Sequence, residues 1–549
     1  MPPETYDVIV LGGGPAGVAT ALQAAERGLS VVLLERESTT GGMAGSFDCD
    51  GMRVDFGSHR LHPVTPPAVL HRLRDLLGED LQVRRRNGRL RLLHRWVDFP
   101  LRGADVARAM PRAWLLRVAR DAALSPLVRR RGLTRGNDPQ SSDGAPASSP
   151  SSSSLSDMSS SSDISSRDHS SYAQSLRSSL GPTVYDTLYE PYARKLWGLS
   201  GEQIDAEQAR VRVSADTVPK VALRVLRGSL HRFGPASGSP AAPGRTFNYP
   251  RRGFGQIIEA LDAAARNAGA RIETGVSVTS IRTPMTTTAG TTSPTSALGT
   301  ASTTSTAGTD EEGTTQVQVH TDDGRIWQAP QVFSTLPLPL LARYADPPPA
   351  DEVISDARGL RFRAMVLVYL SHRPAPDRAR RPVRWSTFDA HYLPGDGTAI
   401  TRISEPANYR DNPEDPQDHS VICAEIPCAV GDDVWTADED ELSAIVHRAI
   451  TDFDLPRLHV GAVQVRRLPA VYPIYEHGFA RRLDRVERWA DGIPGVTTLG
   501  RSGLFAHDNT HHALIMAHAA VAAIRADGTF DQAQWDRSRE SFREHVVED

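Results

Sequence analysis

An α/β chain built on a parallel sheet is predicted by three features of the sequence. The apolar run Val8-Ile9-Val10-Leu11 leads into Gly12-Gly13-Gly14-Pro15-Ala16-Gly17, and small helix-forming residues follow. A second apolar run, Ser30 to Glu35, ends on an acid. Farther along, helical patterns keep alternating with short strand patterns. Parallel strands need crossover connections, so this alternation marks βαβ units rather than hairpins.

Taken in order, Asp7 to Leu11 reads as a buried strand, Gly17 to Arg27 as a helix and Ser30 to Glu35 as a second strand. Tyr172 to Tyr189 is helical in pattern. Gly255 to Ala268 is a helix before a strand at Arg271 to Thr274. Val276 to Ile281 and Val317 to His320 alternate like strands, and Asp322-Asp323-Gly324 turns the chain into Ile326-Trp327. A strand-rich stretch covers Ala364 to Leu370, Ala399 to Ile403 and Val421 to Ile426. Ala513 to Arg525 reads as the last helix.

Two stretches lack any hydrophobic period. Residues 137–171 are mostly Ser with Asp, Pro and Gly, and residues 283–315 are mostly Thr, Ser, Ala and Gly. Neither offers enough apolar surface to offset the entropy of ordering, so both are expected to be disordered surface loops within a domain. The second is an overgrown hairpin tip.

The bulk properties narrow the classes. A chain of 549 residues suggests two to four domains. A net charge of −4 gives no global attraction to nucleic acid, so no nucleic-acid partner is expected. Arg84-Arg85-Arg86 and Arg129-Arg130-Arg131 read as solvated faces or loops. Cys49, Cys423 and Cys428 form neither a disulfide framework nor a zinc spacing. The N-terminus enters a strand without a basic n-region, and no apolar stretch is long enough to span a bilayer. A cytoplasmic protein is expected. Arg112 to Arg131 reads as an amphipathic helix, compatible with peripheral contact with a membrane surface.

The glycine-rich turn carries the chemistry. In G-x-G-x-x-G, Gly12 permits the tight turn, Gly14 lets backbone approach a pyrophosphate, and Gly17 lets helix pack on strand. The helix N-terminus then offers free N–H groups and a positive dipole end to phosphate. Glu35 stands where a carboxylate can accept from a ribose diol, and it would repel a 2′-phosphate. The next segment, Glu35-Arg36 leading into Gly41-Gly42-Met43-Ala44-Gly45, adds a second glycine-rich turn along the diphosphate. That turn favours FAD over NAD in a Rossmann-like domain.

This arrangement resembles the flavoprotein group of amine oxidases, protoporphyrinogen oxidase, phytoene desaturase and UDP-galactopyranose mutase. Asp55-Phe56-Gly57-Ser58-His59-Arg60-Leu61-His62 resembles the mutases' G-P-H-x-F-H run, which implies that His59 lies near the flavin ring. Tyr192-Ala193-Arg194-Lys195-Leu196-Trp197-Gly198 resembles their Y-x-x-K-x-W-G run. The resemblance implies substrate contacts for Tyr192 and Trp197, with Arg210 and Arg212 clamping phosphate. Leu360-Arg361-Phe362-Arg363 resembles L-x-Y-R, which implies that Arg363 supports substrate. Tyr249-Pro250-Arg251-Arg252-Gly253-Phe254-Gly255 resembles the group's Y-P-x-x-G turn, which implies that the Val278 backbone meets adenine.

Leu499-Gly500-Arg501-Ser502-Gly503 resembles the second flavin-binding segment. The resemblance implies that Arg501 meets the diphosphate and that the turn at Asn509 points a helix N-terminus at the flavin. Where the mutases carry a tyrosine and an aspartate, this chain has His507 and Asn509, a departure that counts against the mutase reaction.

The expected protein is thus an α/β enzyme with a discontinuous Rossmann-like FAD-binding domain and an inserted mixed α+β substrate domain. FAD-binding parts are expected at residues 1–75, 245–350 and 495–549. A mainly helical cap is expected at 76–244 and a strand-rich substrate domain at 351–494. Cofactor contacts are assigned to Gly12, Gly14, Ala16, Gly17, Glu35, Arg36, Gly42, Met43, Ala44, His59, Val278, Gly500, Arg501 and Asn509. His59, Arg363 and His507 are assigned to catalysis, and Tyr192, Trp197, Arg210 and Arg212 to substrate. The expected reaction passes hydride from an organic small molecule to flavin N5; a nucleotide-linked sugar, a polyprenoid and a porphyrinogen all stay open. The alternative is a mutase-like isomerisation of a nucleotide sugar.

Overall fold

A computed structural model describes residues 2–547, apart from Arg102 and segments 134–169, 214–245, 284–315 and 376–381. The disorder expected for the Ser-rich and Thr-rich stretches falls almost wholly outside the described residues.

Five strands that are far apart in sequence assemble into one parallel sheet. Their spatial order is Arg271–Thr274, Val31–Glu35, Val8–Leu11, Gln331–Ser334 and Val496–Thr498, each parallel to its neighbours. The central strands Val8–Leu11 and Gln331–Ser334 are buried at every position, and the first is apolar throughout, as expected of a strand covered on both faces. The helices Pro15–Glu26, Gln256–Asn267 and Thr510–Ala522 pack on one face. The small residues of Pro15–Glu26, among them Ala19, Ala21 and Ala24, let these helices approach closely. This layer of sheet and helices is therefore drawn from both ends and the middle of the chain. A smaller sheet holds the hairpin of Val278–Arg282, Val317–Thr321 and Ile326–Ala329.

The second large sheet has seven strands. Phe362–His372 lies between Val460–Pro473 and Ser420–Cys428 in antiparallel register. Arg402–Ser404 and Ala390–Tyr392 follow, and Gly88–Leu92 and Arg95–Phe99 complete the far edge. Those last two strands come from the region expected to be mainly helical. Gly88–Leu92 alternates buried and half-buried residues with Arg89 and Arg91 at the half-buried positions, whereas Arg95–Phe99 buries only Val97 and so shows no period. The helical part of that region includes Arg112–Leu133, Tyr172–Leu180, Glu190–Trp197 and Ala206–Arg212. Ser171 caps Tyr172–Leu180 by accepting from the Gln174 N–H at 3.0 Å.

The last helix is Gln532–Phe542, not the one expected at Ala513 to Arg525, which forms as Thr510–Ala522. Trp535, Arg539 and Phe542 form its buried stripe, and Asp531 caps it. No helix of the described residues is long and apolar enough to cross a membrane.

Candidate functional site

The nucleotide cradle is built where three glycine turns meet. Gly12 has φ +99°, a left-handed conformation that side chains rarely adopt, and a Cβ on Gly17 would run into the Gly12 carbonyl oxygen. At Gly14 the position of a Cβ has no protein atom within 4 Å, so the N-terminus of Pro15–Glu26 is open. The second turn closes on the first: Gly41 N–H donates to Gly13 O at 2.8 Å, and a Cβ on Gly42 would lie 3.2 Å from Gly14 Cα. Ala44 is buried behind that turn. The third turn comes from the far end of the chain, where a Cβ on Gly500 would sit 2.9 Å from the Ala16 Cβ. The Glu35 carboxylate accepts from the Gly13 and Glu37 N–H groups, which fixes it beside the cradle. Its main-chain oxygen accepts from the Val276 N–H at 2.9 Å, which brings the Val278–Arg282 strand to the same end. Val278 pairs with Thr321, and the ladder slips between Val278 and Ser280.

Met43 leads from the cradle into a cavity between the two sheets. The nucleotide-binding side contributes Met43, Gly57, Ser58, His59 and Arg501. The seven-stranded sheet contributes Met365, Arg402, Glu425 and Tyr472. The turn carrying His59 is held rigidly. Tyr369 donates its hydroxyl to Asp55 O at 2.6 Å, and Ser58 N–H donates to Glu425 Oε1 at 2.9 Å. The Asp55 carboxylate accepts from the Ser46 hydroxyl at 2.6 Å, the Phe254 N–H at 2.8 Å and the Tyr249 hydroxyl. His59 stacks on Phe254, with ring centres 5.2 Å apart. Burial holds its imidazole below the ordinary histidine range, and its buried Nδ1 has no hydrogen-bond partner. Arg402 and Glu425 form a bidentate buried pair on the opposite wall, at 3.0 and 2.8 Å.

Behind the cavity lies an aromatic and cationic chamber. Tyr472 has the Arg212 guanidinium 5.0 Å from its ring centre and the Arg501 guanidinium 4.9 Å from it. Trp197 meets Tyr472 and His507 edge-on, at 5.7 and 5.4 Å. His507 is buried and held neutral, first by desolvation and then by Arg212 and Arg501. Gln208 fixes its tautomer. Gln208 Oε1 accepts from Tyr475 N–H at 3.3 Å, so its NH2 faces His507 Nε2 at 3.0 Å and makes that nitrogen an acceptor.

The profile of the family described as flavin containing amine oxidoreductase matches residues 15–526. The chain belongs to that family. Its cofactor is FAD, and the open N-terminus at Gly14, the close approach of Gly42 and the acid at Glu35 fit that group. Members of this flavoenzyme family are oxidoreductases.

Solved structures show the same fold. A reduced UDP-galactopyranose mutase aligns with a TM-score of 0.69 and 15% identity over 99% of this chain and 100% of its own. A protein described as a protoporphyrinogen oxidase from Exiguobacterium sp. 255-15 aligns with a TM-score of 0.59 and 17% identity over 95% and 99%. Among curated relatives, a prolycopene isomerase from an Oncidium hybrid cultivar is 44% identical over 55 residues. That match spans 10% of this flavoenzyme and 9% of the isomerase.

Several residues assigned to the site from sequence lie elsewhere. Arg363 does not line the cavity. It donates to Leu196 O at 3.1 Å and to Lys195 O and Pro427 O at 3.3 Å, so it caps the C-terminus of Glu190–Trp197. Arg210 is paired with Glu207 at the surface and donates to Arg543 O at 2.6 Å. Arg36 is paired with Glu37 at 2.9 Å, with both side chains about two-thirds exposed (68% and 64%). Trp197 is 3% exposed and belongs to the core of the helical region, with half-buried Tyr192 packed against that core. Arg501 lines the cavity and donates to Val471 O at 2.7 Å. Asn509 starts the Thr510–Ala522 helix, and its N–H donates to His512 Nδ1 at 3.1 Å.

Sequence reasoning missed Tyr472, Arg402, Glu425 and Gln208. Tyr472 stands in the run Ala470-Val471-Tyr472-Pro473, which has no charged or paired polar residue to mark it. The charged pair was legible only as two polar residues at inward positions of otherwise apolar strands.

Proposed function

We propose that this flavoenzyme oxidises a small organic substrate that joins an anionic group to an apolar body. The observation that carries the reading is the pair of guanidinium groups, Arg212 and Arg501, about the Tyr472 ring. Arg402 is paired with Glu425, and Arg501 brings a second guanidinium to the same cavity. Met43, Phe56, Met365, Leu367 and Leu468 supply apolar surface for the rest of the substrate.

When bound, FAD supplies the acceptor for two electrons. The chain's own part is to bind, orient and exclude water. Arg501 holds the acidic group and the apolar wall fixes the reacting carbon. His59 is held neutral beside the cavity, and in this reading it takes the proton that the substrate loses. The test is anaerobic mixing of oxidised enzyme with carboxylated or phosphorylated candidates, among them porphyrinogens and polyprenyl diphosphates. Bleaching of the flavin band is expected with an anionic compound. Faster bleaching with neutral or cationic amines would overturn the reading.

A second reading is a mutase-like isomerisation of a nucleotide sugar, favoured by the two guanidiniums as a diphosphate clamp. His507 and Asn509, standing where the mutases carry a tyrosine and an aspartate, weigh against it. Dithionite-reduced enzyme that interconverts UDP-galactopyranose and UDP-galactofuranose would promote it over oxidation.

A further inference from the structure

On the far side of His507, its chain neighbour Asp508 faces away from the chamber into a cluster of histidines. The Asp508 carboxylate is buried, at 4% exposure. Its Oδ1 lies 2.8 Å from His545 Nδ1 and 3.1 Å from His512 Nδ1. The two imidazoles stack with centres 4.0 Å apart, and His511 stands 4.1 Å from His512. One donor atom from each of Asp508, His512 and His545 falls within 4.8 Å of the others.

We propose that Asp508, His512 and His545 form a binding site for a divalent transition-metal ion of the zinc type. Two imidazoles and one carboxylate are a donor set that suits such ions. Ligands about 2.0–2.2 Å from zinc stand roughly 3.3 Å from one another, so the three donors reach that spacing with small side-chain movements.

Two further observations point to a cation. Asp508 Oδ2 is buried and has no hydrogen-bond partner, which is costly for a carboxylate oxygen. His512 Nδ1 also faces conflicting neighbours. The Asn509 N–H approaches it at 3.1 Å as a donor, and Asp508 Oδ1 stands 3.1 Å away as an acceptor. One nitrogen cannot satisfy both: with its lone pair toward Asn509 it meets the carboxylate without a proton between them. A cation bound between the carboxylate and the imidazoles removes that repulsion, takes the His512 Nδ1 lone pair in place of the Asn509 N–H contact and gives Oδ2 a partner. An open cleft of about 390 Å³ lined by His511, His512, Glu544 and His545 provides the entry path and room for water as a further ligand.

The site lies where it can act on the chamber. His545 belongs to the C-terminal segment, in which Val547 N–H donates to Val211 O at 2.9 Å and Arg543 O accepts from Arg210. Those contacts hold the Ala206–Arg212 helix, which carries Gln208 and Arg212. A metal that ties His545 to Asp508 and His512 fastens this helix against the segment bearing His507.

The experiment uses full-length FAD-loaded protein, stripped with EDTA and titrated with Zn2+ against a chromophoric chelator. One Zn2+ per chain is expected, with micromolar or tighter affinity and a rise in Tm. His545→Ala and Asp508→Asn are expected to weaken binding by at least about tenfold. His545→Gln, which keeps an N–H for the carboxylate, should fold and hold FAD as the parent does yet also lose Zn2+. Binding in this variant equal to that of the parent would overturn the proposal. So would a parent protein that takes up no Zn2+ at micromolar concentrations.

Discussion

Gln208 donates to His507 Nε2 at 3.0 Å, and this single bond decides which nitrogen of a buried imidazole carries the proton. Both residues are shielded from solvent, at 0% and 2% exposure, and the Gln208 oxygen is occupied by Tyr475 N–H. Replacing Gln208 by Leu strands two buried acceptor or donor groups, a loss of about 1–3 kcal/mol. The expected result is a lower denaturant midpoint with an unchanged m-value and full FAD content. A midpoint equal to that of the parent would show that His507 is held by other means.

The cradle yields a cleaner separation of fold from ligand. A side chain at Gly14 meets no protein atom, whereas one at Gly17 collides with the Gly12 backbone. Gly14→Val is therefore expected to fold with little change in Tm once FAD is removed from both proteins, yet to bind FAD at least about tenfold more weakly, a change of about 1.4 kcal/mol. Gly17→Ala should lose stability and FAD together. Fluorescence titration with FAD and thermal melts of the apoproteins check both. Tight FAD binding by Gly14→Val would remove the cradle from the cofactor site.

That contrast also explains what the sequence could reveal. Gly12, Gly14, Gly17 and Glu35 act within one stretch of chain, so their spacing carries their geometry. The chamber does not work this way: Trp197, Gln208, Tyr472 and His507 come from separate elements, and only packing brings them together. Arg363 and Arg210 were misread for a related reason. A guanidinium in a functional-looking run can equally cap a helix or pair with a nearby carboxylate, and the run is the same in either case. The Gln532–Phe542 helix had a visible stripe at Trp535, Arg539 and Phe542, but the arginine within it hid the apolar period.

A buried histidine in the seven-stranded sheet should make the protein acid-sensitive. His391 is 1% exposed, accepts from Arg89 Nε at its Nδ1 at 2.7 Å, and is held down to about 3 by burial and then by Arg89. Its folded pKa lies below its ordinary 6.5, so the unfolded chain binds the extra proton between those values. Stability is then fully present above pH 6.5 and is lost as pH falls toward 3. The expected contribution is about 2 kcal/mol between pH 7 and pH 5. Denaturant unfolding at the two pH values measures it, and His391→Asn should flatten the difference. An unchanged slope in that variant would assign the acid sensitivity to other groups.

The final prediction separates a residue of the chamber from one that supports it. Arg212 and Arg363 are both arginines in segments read as substrate-binding, but their surroundings differ. The Arg212 guanidinium faces the Tyr472 and Trp197 rings, at 5.0 and 5.7 Å. Arg363 spends its donors on the carbonyls of Lys195, Leu196 and Pro427. Replacing each by Met keeps the apolar stem and removes the charge. For Arg363→Met, the freed carbonyls at the end of Glu190–Trp197 cost about 1–3 kcal/mol, so Tm should fall. For Arg212→Met, FAD content should stay near that of the parent, and Tm should fall less than for Arg363→Met. An anionic substrate should then reduce the flavin only at about tenfold higher concentration, the loss of one charged contact of about 1.4 kcal/mol. The readout is the substrate dependence of anaerobic flavin bleaching, compared at low and high salt. Salt should weaken the response of the parent more than that of Arg212→Met, because the variant has less charge to screen. If Arg212→Met lowers Tm as far as Arg363→Met and leaves substrate dependence untouched, Arg212 is a structural residue and the anionic-substrate reading loses one of its two guanidiniums.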